Sequence, residues 1–559
     1  MWRARQRHVP TGSRRLVEFA DEAGSLTECF LRSKRMSVNE TLAWVVAFLI
    51  VTVAVSAAAR RAGGSAPVAL VAIGVAVSYI PGVPLVSVEP DFVLSVLLPP
   101  LLFAAALRTS LADVRARRQS LFLLSVGLVA FTTVVVGFTA WALVPSLSLA
   151  AAFAFGAVVA PTDAVAVSAV TRRTPLPRLL GSVIEGESLL NDATALVALN
   201  TAVLAIVSTF DPIRAAGEFV LAVVGGTGIG LLVAFAMGLL RRKITAPVLD
   251  TSLSLVTPYV AFLLAHAIGA SGPLAVVVTG LFLGYRAPVL QSAEARLAES
   301  LNWRTIEFLL ENAVFMLIGL SLPAILRGAL DSGIPIGQAV LIITGVFVAV
   351  VVARLAWSFG ITAIYRWGPP AMRRRSWQWR LNLPVTVAGV RGVVTLAAVF
   401  LLPDETPHRA FLQFLAFVVV VCSLLVGLSL PWVMRRVALA PPNLDQERME
   451  RQLLMAEARS ASLRLVDTIE PGQYEERVRE RVRIDAAFLG ETLIGDEQRR
   501  ATRTEAYADL RMRAITEERR TVLRARMEGR YSEATVRAVL TVLDIEEAAV
   551  SATIPDRSS

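Results

Sequence analysis

The sequence predicts an all-α protein that crosses a membrane many times. Of its 559 residues, 55% are hydrophobic and 18% are charged, and the mean hydropathy is +0.61. A soluble domain of this length is less apolar. Apolar runs also recur near the ~20 residues that a helix needs to span a bilayer. A few charged residues lie inside these runs, where they are costly, and they therefore indicate a functional site.

About thirteen apolar segments fit membrane spans. If the seventh is a connector, spans one to six and eight to thirteen form two halves whose orientations are opposite. We therefore expect two inverted six-helix repeats. The second and ninth segments are short for a span, so either could be tilted, paired with its neighbour or re-entrant. The predicted spans are 42–60, 66–80, 91–107, 119–143, 148–170, 185–208, 218–240, 251–268, 272–285, 306–326, 336–364, 383–402 and 409–434.

The basic residues of the loops predict the orientation, because Lys and Arg are retained on the cytoplasmic side. Alternate loops hold about 22 against about 3 such residues. Residues 36–436 are therefore expected to form a transmembrane domain of the plasma membrane, with a cytoplasmic tail at 437–559. An odd number of spans places the basic segment 1–35 outside. Either this segment is a start-site extension before Met36, or one short segment does not span.

The tail, 437–559, is rich in Glu and Arg, and it predicts amphipathic helices. It is expected to support solubility or a dimer, or to act as a regulatory sensor. The formal net charge of +10 fits cytoplasmic loops that face the anionic lipid of a bilayer, so nucleic acid is not expected as a partner. With only Cys29, Cys422 and three scattered histidines, no thiolate metal site, catalytic triad or cofactor is expected.

The sixth span carries the densest group of polar residues inside an apolar run, at 186–192. Residues four apart share a helix face, so Ser188 and Asp192 point one way, and Glu187 and Asn191 point to a neighbouring face. Asp192 and Ser188, with a third oxygen from Thr162, form a hard oxygen shell that suits a small cation.

Glu187 is predicted to be structural. The eleventh span contains Arg354, whose permanent charge would form a buried ion pair with Glu187, braced by Asn191. The charged residues Asp163 and Arg391 lie in the fifth and twelfth spans.

In two spans, helix-breaking residues coincide with charged residues. Pro161 removes a backbone donor in the fifth span, and Pro384, Gly389 and Gly392 weaken the twelfth. Broken helices survive in a membrane where their freed backbone groups face protein or a watery cavity. Paired breaks in inverted halves indicate a transporter site near the midplane. Asp163 either ligates the ion or satisfies amides at a broken-helix N-terminus.

Several runs then resemble the sodium/proton antiporters of the cation-proton antiporter-1 family, particularly its bacterial members. They cover about residues 40–436 in matching order. The runs are Leu98–Phe103, Ala160–Val167, Gly186–Asp192, Asn312–Gly319, Val352–Arg354 and Val390–Ala397.

This resemblance implies a homodimer in which a core of crossed broken helices moves against a dimerisation domain. It implies that Asp192 is the ion-binding aspartate, supported by the hydroxyls of Thr162 and Ser188. It also implies that Glu187 and Arg354 form the family's glutamate-arginine pair.

Asn191 stands where electrogenic relatives carry a second aspartate, which implies electroneutral exchange of one cation for one proton. Ala164 stands where Pro is commoner, and Thr395 where Ser is commoner. Neither departure removes a charge, so they affect local helix geometry and leave the chemistry unchanged.

The expected mechanism needs one carboxylate, for which H+ and a monovalent cation compete: Na+, or else Li+ or K+. Exchange is obligatory if the empty, ionised site cannot cross the membrane but the protonated or cation-loaded site can. The protein is therefore not expected to be an enzyme. The alternatives are a cation channel and an intramembrane aspartyl protease that uses Asp163 and Asp192. The contexts of these two residues match the antiporter.

Overall fold

A computed structural model describes most of the apolar region and isolated parts of the tail. The predicted extension, 1–35, and Ala164 of the fifth predicted span lie outside the described residues. The described residues are 38–62, 66–81, 83, 92–109, 111–116, 118–163, 167, 178–207, 212–244, 246–368, 379–437, 449, 464, 467–468, 476–477, 480, 511–522, 524, 539, 543, 545–547 and 549–550.

The described part of residues 38–437 is helical and contains no strand. Two short π-helical turns, Val93–Leu97 and Leu123–Gly127, lead into α3 and α6, and a third, Leu221–Gly225, leads into α10. The α-helices are α1 Val38–Arg61, α2 Ala66–Ser78, α3 Leu98–Arg108, α4 Leu111–Ala116, α5 Arg118–Phe122, α6 Leu128–Leu143, α7 Leu149–Val159, α8 Arg178–Val207, α9 Pro212–Val220, α10 Gly226–Arg241, α11 Pro247–Ala267, α12 Gly272–Leu290, α13 Ala293–Leu330, α14 Ile336–Trp367, α15 Asn382–Val387, α16 Val393–Ala398, α17 Arg409–Gly427 and α18 Leu430–Arg436.

Nine helical stretches in the described residues are long and apolar enough to cross a membrane. Each coincides with a predicted span. Three shorter apolar helices, Ala66–Ser78, Leu94–Arg108 and Leu149–Val159, coincide with three more predicted spans, and the remaining one, 383–402, is interrupted. The chain is therefore a multi-pass membrane protein.

The ninth predicted span is longer than expected. The prediction ended at residue 285, but α12 continues to Leu290 with Arg286 and Pro288 inside it. The Arg286 guanidinium lies 5.8 Å from the centre of the Phe282 ring, and this contact accommodates the charge on the helix.

Several helices begin at a residue whose side chain caps the first turn. Ser148, Ser271 and Ser292 each accept a hydrogen bond from a backbone amide three residues later, at 3.2 to 3.3 Å. These bonds satisfy amides that have no partner inside the helix. Serine in these turns therefore defines where α7, α12 and α13 begin.

Glycine allows α2 and α13 to pack with their backbones in contact. A Cβ at Gly74 would lie 2.6 Å from the Met316 carbonyl oxygen and 2.9 Å from the Gly319 Cα atom. Small residues at such a crossing allow the close packing on which membrane helices depend. This contact fixes the position of α13 beside α2.

A buried polar cluster joins the ends of four helices, and we call it the Arg241 cluster. The Arg241 Nη2 atom donates to Glu299 Oε1 at 2.9 Å, and its Nε atom lies 3.8 Å from Asp250 Oδ1. The Gln291 amide donates to both carboxylates, at 2.7 and 2.8 Å. The Ser254 hydroxyl also donates to Glu299. The cluster therefore ties α10, α11 and α13 to the end of α12.

Residues 440–559 form a separate compact unit. The buried side chains of Ile515, Leu543 and Val550 pack together there. Arg511 forms ion pairs with Glu518 at 3.0 Å and with Glu546 at 2.5 Å. The described part of the tail is helical, as its amphipathic pattern predicts.

Candidate functional site

The fifth predicted span is broken at its proline. Helix α7 ends at Val159, and residues Pro161–Asp163 are not helical. Pro161 has no backbone N–H and clashes with the preceding turn, which explains why the helix stops there. The helix packs against α6 and α8, so the break lies beside the helix that carries Asp192.

The twelfth predicted span is broken between Val387, the last residue of α15, and Val393, the first of α16. Pro384 does not contribute to the break. It lies in the first turn of α15, where a backbone N–H has no partner inside the helix. The interruption falls instead on the segment that contains Gly389 and Gly392.

The two breaks contact each other directly. The backbone N–H of Asp163 donates to the Val390 carbonyl oxygen at 2.8 Å. A Cβ at Gly392 would overlap the Asp163 carboxylate, so glycine is needed there for the close approach. The carboxylate therefore lies at the N-terminal end of α16, where the helix dipole stabilises a negative charge. This placement favours an amide-facing role for Asp163 but leaves its role as an ion ligand a prediction.

Arg391 supports the other end of the same crossing. It is buried, and its Nε atom donates to the carbonyl oxygen of Val159 at 3.1 Å, at the C-terminal end of α7. Its Nη1 atom donates to the Gly389 carbonyl oxygen. These two carbonyl groups lost their helical partners at the breaks, and a positive charge at a helix C-terminus is favourable.

Glu187 and Arg354 form a two-point ion pair between α8 and α14. The Arg354 Nη1 and Nη2 atoms donate to the two Glu187 carboxylate oxygens at 2.6 and 3.1 Å. The guanidinium also donates twice to the Val385 carbonyl oxygen of α15, at 3.0 and 3.1 Å. Glu187 is 1% and Arg354 2% exposed, so the pair is fully removed from solvent and ties three helices together.

Thr162 belongs to the same network. Its hydroxyl donates to Glu187 Oε1 at 3.1 Å and accepts a hydrogen bond from Asn191 Nδ2 at 2.8 Å. Asn191 therefore braces the ion pair through Thr162. Because the Thr162 hydroxyl proton is already directed to Glu187, any contact with a cation would use the remaining lone pair of its oxygen. The buried Asn191 Oδ1 atom has no described hydrogen-bond partner.

Asp192 and Ser188 lie on the neighbouring face of α8, and each is 8% exposed. None of the ion pairs found among the described residues of the helical region involves Asp192. Asp163 is close enough for its charge to act on Asp192. The arrangement therefore brings one buried carboxylate without an ion pair to the crossing of two broken helices.

Three charged residues near this site were missed in the sequence analysis. Glu307 and Glu311 are one turn apart on α13, and Arg108, at the end of α3, forms an ion pair with Glu307. Both glutamates lie in the predicted span 306–326, so a check for carboxylates four residues apart on an apolar helix identifies them. The Arg241 cluster was missed as well, because its residues lie at helix ends.

Comparison with known families matches residues 44–436 to a model described as the transmembrane sodium/hydrogen exchanger. An uncharacterised Na+/H+ exchanger of Mycobacterium bovis is 31% identical over 526 residues, which cover 90% of this chain and 95% of that protein. An antiporter of Bacillus subtilis named for sodium, potassium, lithium and rubidium is 31% identical over 405 residues, covering 68% and 60% of the two chains.

Comparison of structures gives the same fold. A sodium proton antiporter from Methanocaldococcus jannaschii, solved at pH 8, aligns with a TM-score of 0.55 and 18% sequence identity. The alignment covers 70% of this chain and all of that chain. Since the family model spans most of the helical region and the Mycobacterium bovis relative aligns along nearly the whole chain, this protein belongs to the transmembrane sodium/hydrogen exchanger family.

Proposed function

We propose that this protein exchanges a monovalent cation for a proton across the plasma membrane. Na+ is the expected cation, and Li+ and K+ are further candidates. The observation that carries the proposal is Asp192, a buried carboxylate beside the crossing of two broken helices, while the one arginine of α14 nearby is bound to Glu187. Membership in the sodium/hydrogen exchanger family supports the same activity.

The proposed chemistry is competition for the Asp192 carboxylate. A proton neutralises it, and a small cation balances its charge with help from oxygen ligands. We assign these ligands to the Ser188 hydroxyl, the Thr162 oxygen, Asp163 and backbone carbonyl groups freed at the breaks. The ionised, empty site is costly to move through a low-dielectric barrier, so only the occupied forms cross. Alternating access on this rule makes exchange obligatory.

Glu187 and Arg354 have a structural role in this proposal. Their charges cancel, and their hydrogen bonds hold α8, α14 and α15 together around the crossing. Asn191 carries no charge, so Asp192 is the one member of the 191–192 pair that can exchange a proton for a cation. We therefore propose electroneutral exchange of one cation for one proton.

The proposal includes the number of membrane spans and their arrangement in two repeats. The nine long helices, the three shorter apolar helices and the interrupted segment at 382–398 fit thirteen spans arranged as two inverted repeats. The breaks would then be the fifth span of each half, as inverted repeats require. We also propose a homodimer and a cytoplasmic tail at 437–559.

The test uses everted membrane vesicles from cells that lack their own antiporters. Vesicles acidified by respiration and loaded with a pH-sensitive dye should lose their pH gradient when Na+, Li+ or K+ is added. With the same K+ concentration in every sample, clamping the voltage by adding valinomycin should leave the Na+-dependent rate unchanged if exchange is electroneutral. A current that follows the membrane potential would instead indicate a channel. The absence of any cation-dependent proton flux would reject the exchange activity.

A further inference from the structure

The proposed ion site does not include two glutamates of α13, Glu307 and Glu311. Glu307 is buried and paired with Arg108, whose side chain is 52% exposed. The Arg304 charge also acts on Glu307. These arginines belong to the set that the loop pattern assigns to the cytoplasmic side. The Arg108–Glu307 pair therefore marks the cytoplasmic end of this face of α13.

Glu311 lies one turn deeper on the same face, about 6 Å along the helix axis. It is half-buried, and it makes no hydrogen bond or ion pair with any described residue. The charges that act on it are those of Glu307, Asp163 and Arg108. Helix α13 packs against α16, and the Asp163 carboxylate lies at the start of α16. Glu311 is therefore between the cytoplasmic end and the crossing.

This position is unfavourable for the stability of the empty protein. An unpaired carboxylate inside an apolar span is costly, and the nearby carboxylates add repulsion. The same charges attract a cation from solution, because a negative potential in a low-dielectric environment raises the local concentration of positive ions. At the deep end, the buried Asn191 Oδ1 atom, next to Asp192 in the chain, is an acceptor without a described partner.

We propose that Glu311 is a positioning residue that draws the alkali cation from the cytoplasmic solution toward Asp192. Arg108 neutralises Glu307, so that one free carboxylate, not two, lies on this route. The inference rests on the proposed exchange activity. It concerns the affinity for the cation on one face of the membrane, whereas the chemistry of exchange stays with Asp192.

The first experiment replaces Glu311 with Gln and measures dye dequenching in everted vesicles, whose outer face is the cytoplasmic one. The half-saturating Na+ concentration should rise roughly tenfold, with a maximal rate close to that of the unmodified protein. Glu311→Asp keeps the charge and should restore most of the apparent affinity. Glu294→Gln is the matched control, because Glu294 is exposed in the first turn of the same helix.

The second experiment replaces Arg108 with Gln. This change frees the Glu307 carboxylate and should lower the half-saturating Na+ concentration, the opposite direction to Glu311→Gln. Two variants with opposite effects are hard to attribute to loss of folding. Size-exclusion profiles of fluorescent fusions give an independent measure of the folded amount.

The strictest test compares the effect of Glu311→Gln when Na+ is presented to the cytoplasmic face and when it is presented to the outer face. In right-side-out vesicles, where Na+ is presented to the outer face, Glu311→Gln should leave the half-saturating concentration unchanged. An equal rise on both faces would place Glu311 at the ion site itself and overturn the proposed route. An unchanged value on the cytoplasmic face, in a protein that does exchange Na+ for H+, would overturn it too. If the unmodified protein exchanged no cation, the proposed function would fail first.

Discussion

Two buried networks in this protein combine arginine with acidic residues, but they pair the charges differently. In the Arg241 cluster, Glu299 and Asp250 share Arg241 and are bridged by Gln291. At the helix crossing, Arg354 forms its ion pair with Glu187 and also donates to the Val385 carbonyl oxygen. None of the ion pairs found among the described residues involves Asp192, which in our proposal binds the proton or the cation. Burial of charge by itself does not identify an ion site, and a carboxylate that the neighbouring arginine does not neutralise is the more specific sign.

The largest expected effect comes from removing that carboxylate. Asp192→Asn keeps the shape of the side chain but cannot exchange a proton for a cation, so dye dequenching should fall about a hundredfold or more. Ser252→Ala, at an exposed residue of α11, is a control for expression and insertion. If Asp192→Asn still showed cation-coupled proton flux, Asp192 would not be the ion-binding carboxylate, and the contrast with the Arg241 cluster would fail.

The next effect concerns folding and not transport chemistry. Arg354→Ala leaves the Glu187 carboxylate buried and unpaired, which costs about 3–5 kcal/mol. The amount of folded protein and its melting temperature, measured on fluorescent fusions in detergent, should both fall sharply. Arg327→Ala removes an exposed arginine of α13 and should leave both unchanged. A stable, fully active Arg354→Ala protein would show that the pair is not structural.

Glu299→Gln tests the Arg241 cluster. The amide keeps hydrogen-bonding capacity but removes the charge that faces Arg241 Nη2, so we expect destabilisation of about 1–3 kcal/mol with no change in the half-saturating Na+ concentration. A lower melting temperature with normal transport affinity is the expected combination. A large change in cation affinity would mean that this cluster, too, takes part in ion binding.

The smallest expected effect is the loss of stability when the Thr162 hydroxyl is removed from the helix crossing. Thr162→Val keeps the volume but removes the hydroxyl that links Glu187 to Asn191, so stability should fall by about 1–2 kcal/mol. Thr133→Val is the matched control, because the buried Thr133 hydroxyl has no described partner. Its loss should be neutral or slightly stabilising. Equal melting temperatures for the two variants would argue against a bracing role for Thr162.

Much of the helical layout follows from the sequence, because apolar length and helix-breaking residues act locally. The nine long helices lie where apolar runs predict them, and Pro161 marks a break directly. The end of α12 is different: Arg286 and Pro288 interrupt the apolar run, yet the helix continues through both residues to Leu290. A charge or a proline near the end of an apolar run therefore does not by itself show where the helix ends.

The site residues divide in the same way. Helical spacing places Ser188 and Asp192 on a face next to that of Glu187 and Asn191, and cost arguments suggest a partner for Glu187. Spacing does not show that the Thr162 hydroxyl is directed to Glu187, because Thr162 lies outside a helix and its orientation is set by the crossing. Spacing identifies the α13 glutamates as a pair but does not connect them to the site, because Asp163, whose charge acts on both, lies on a distant segment of the chain.

The hydrogen bond from the Asp163 amide to the Val390 carbonyl oxygen makes the crossing measurable in solution. Amide hydrogens exchange with deuterium only when such bonds open. If the two broken segments travel together during turnover, this amide should stay protected under Na+ and proton gradients alike. If they slide past each other, its exchange should accelerate whenever the protein is transporting. Deuterium uptake at the Asp163 amide therefore distinguishes rigid-body movement of the two broken segments from movement of one against the other.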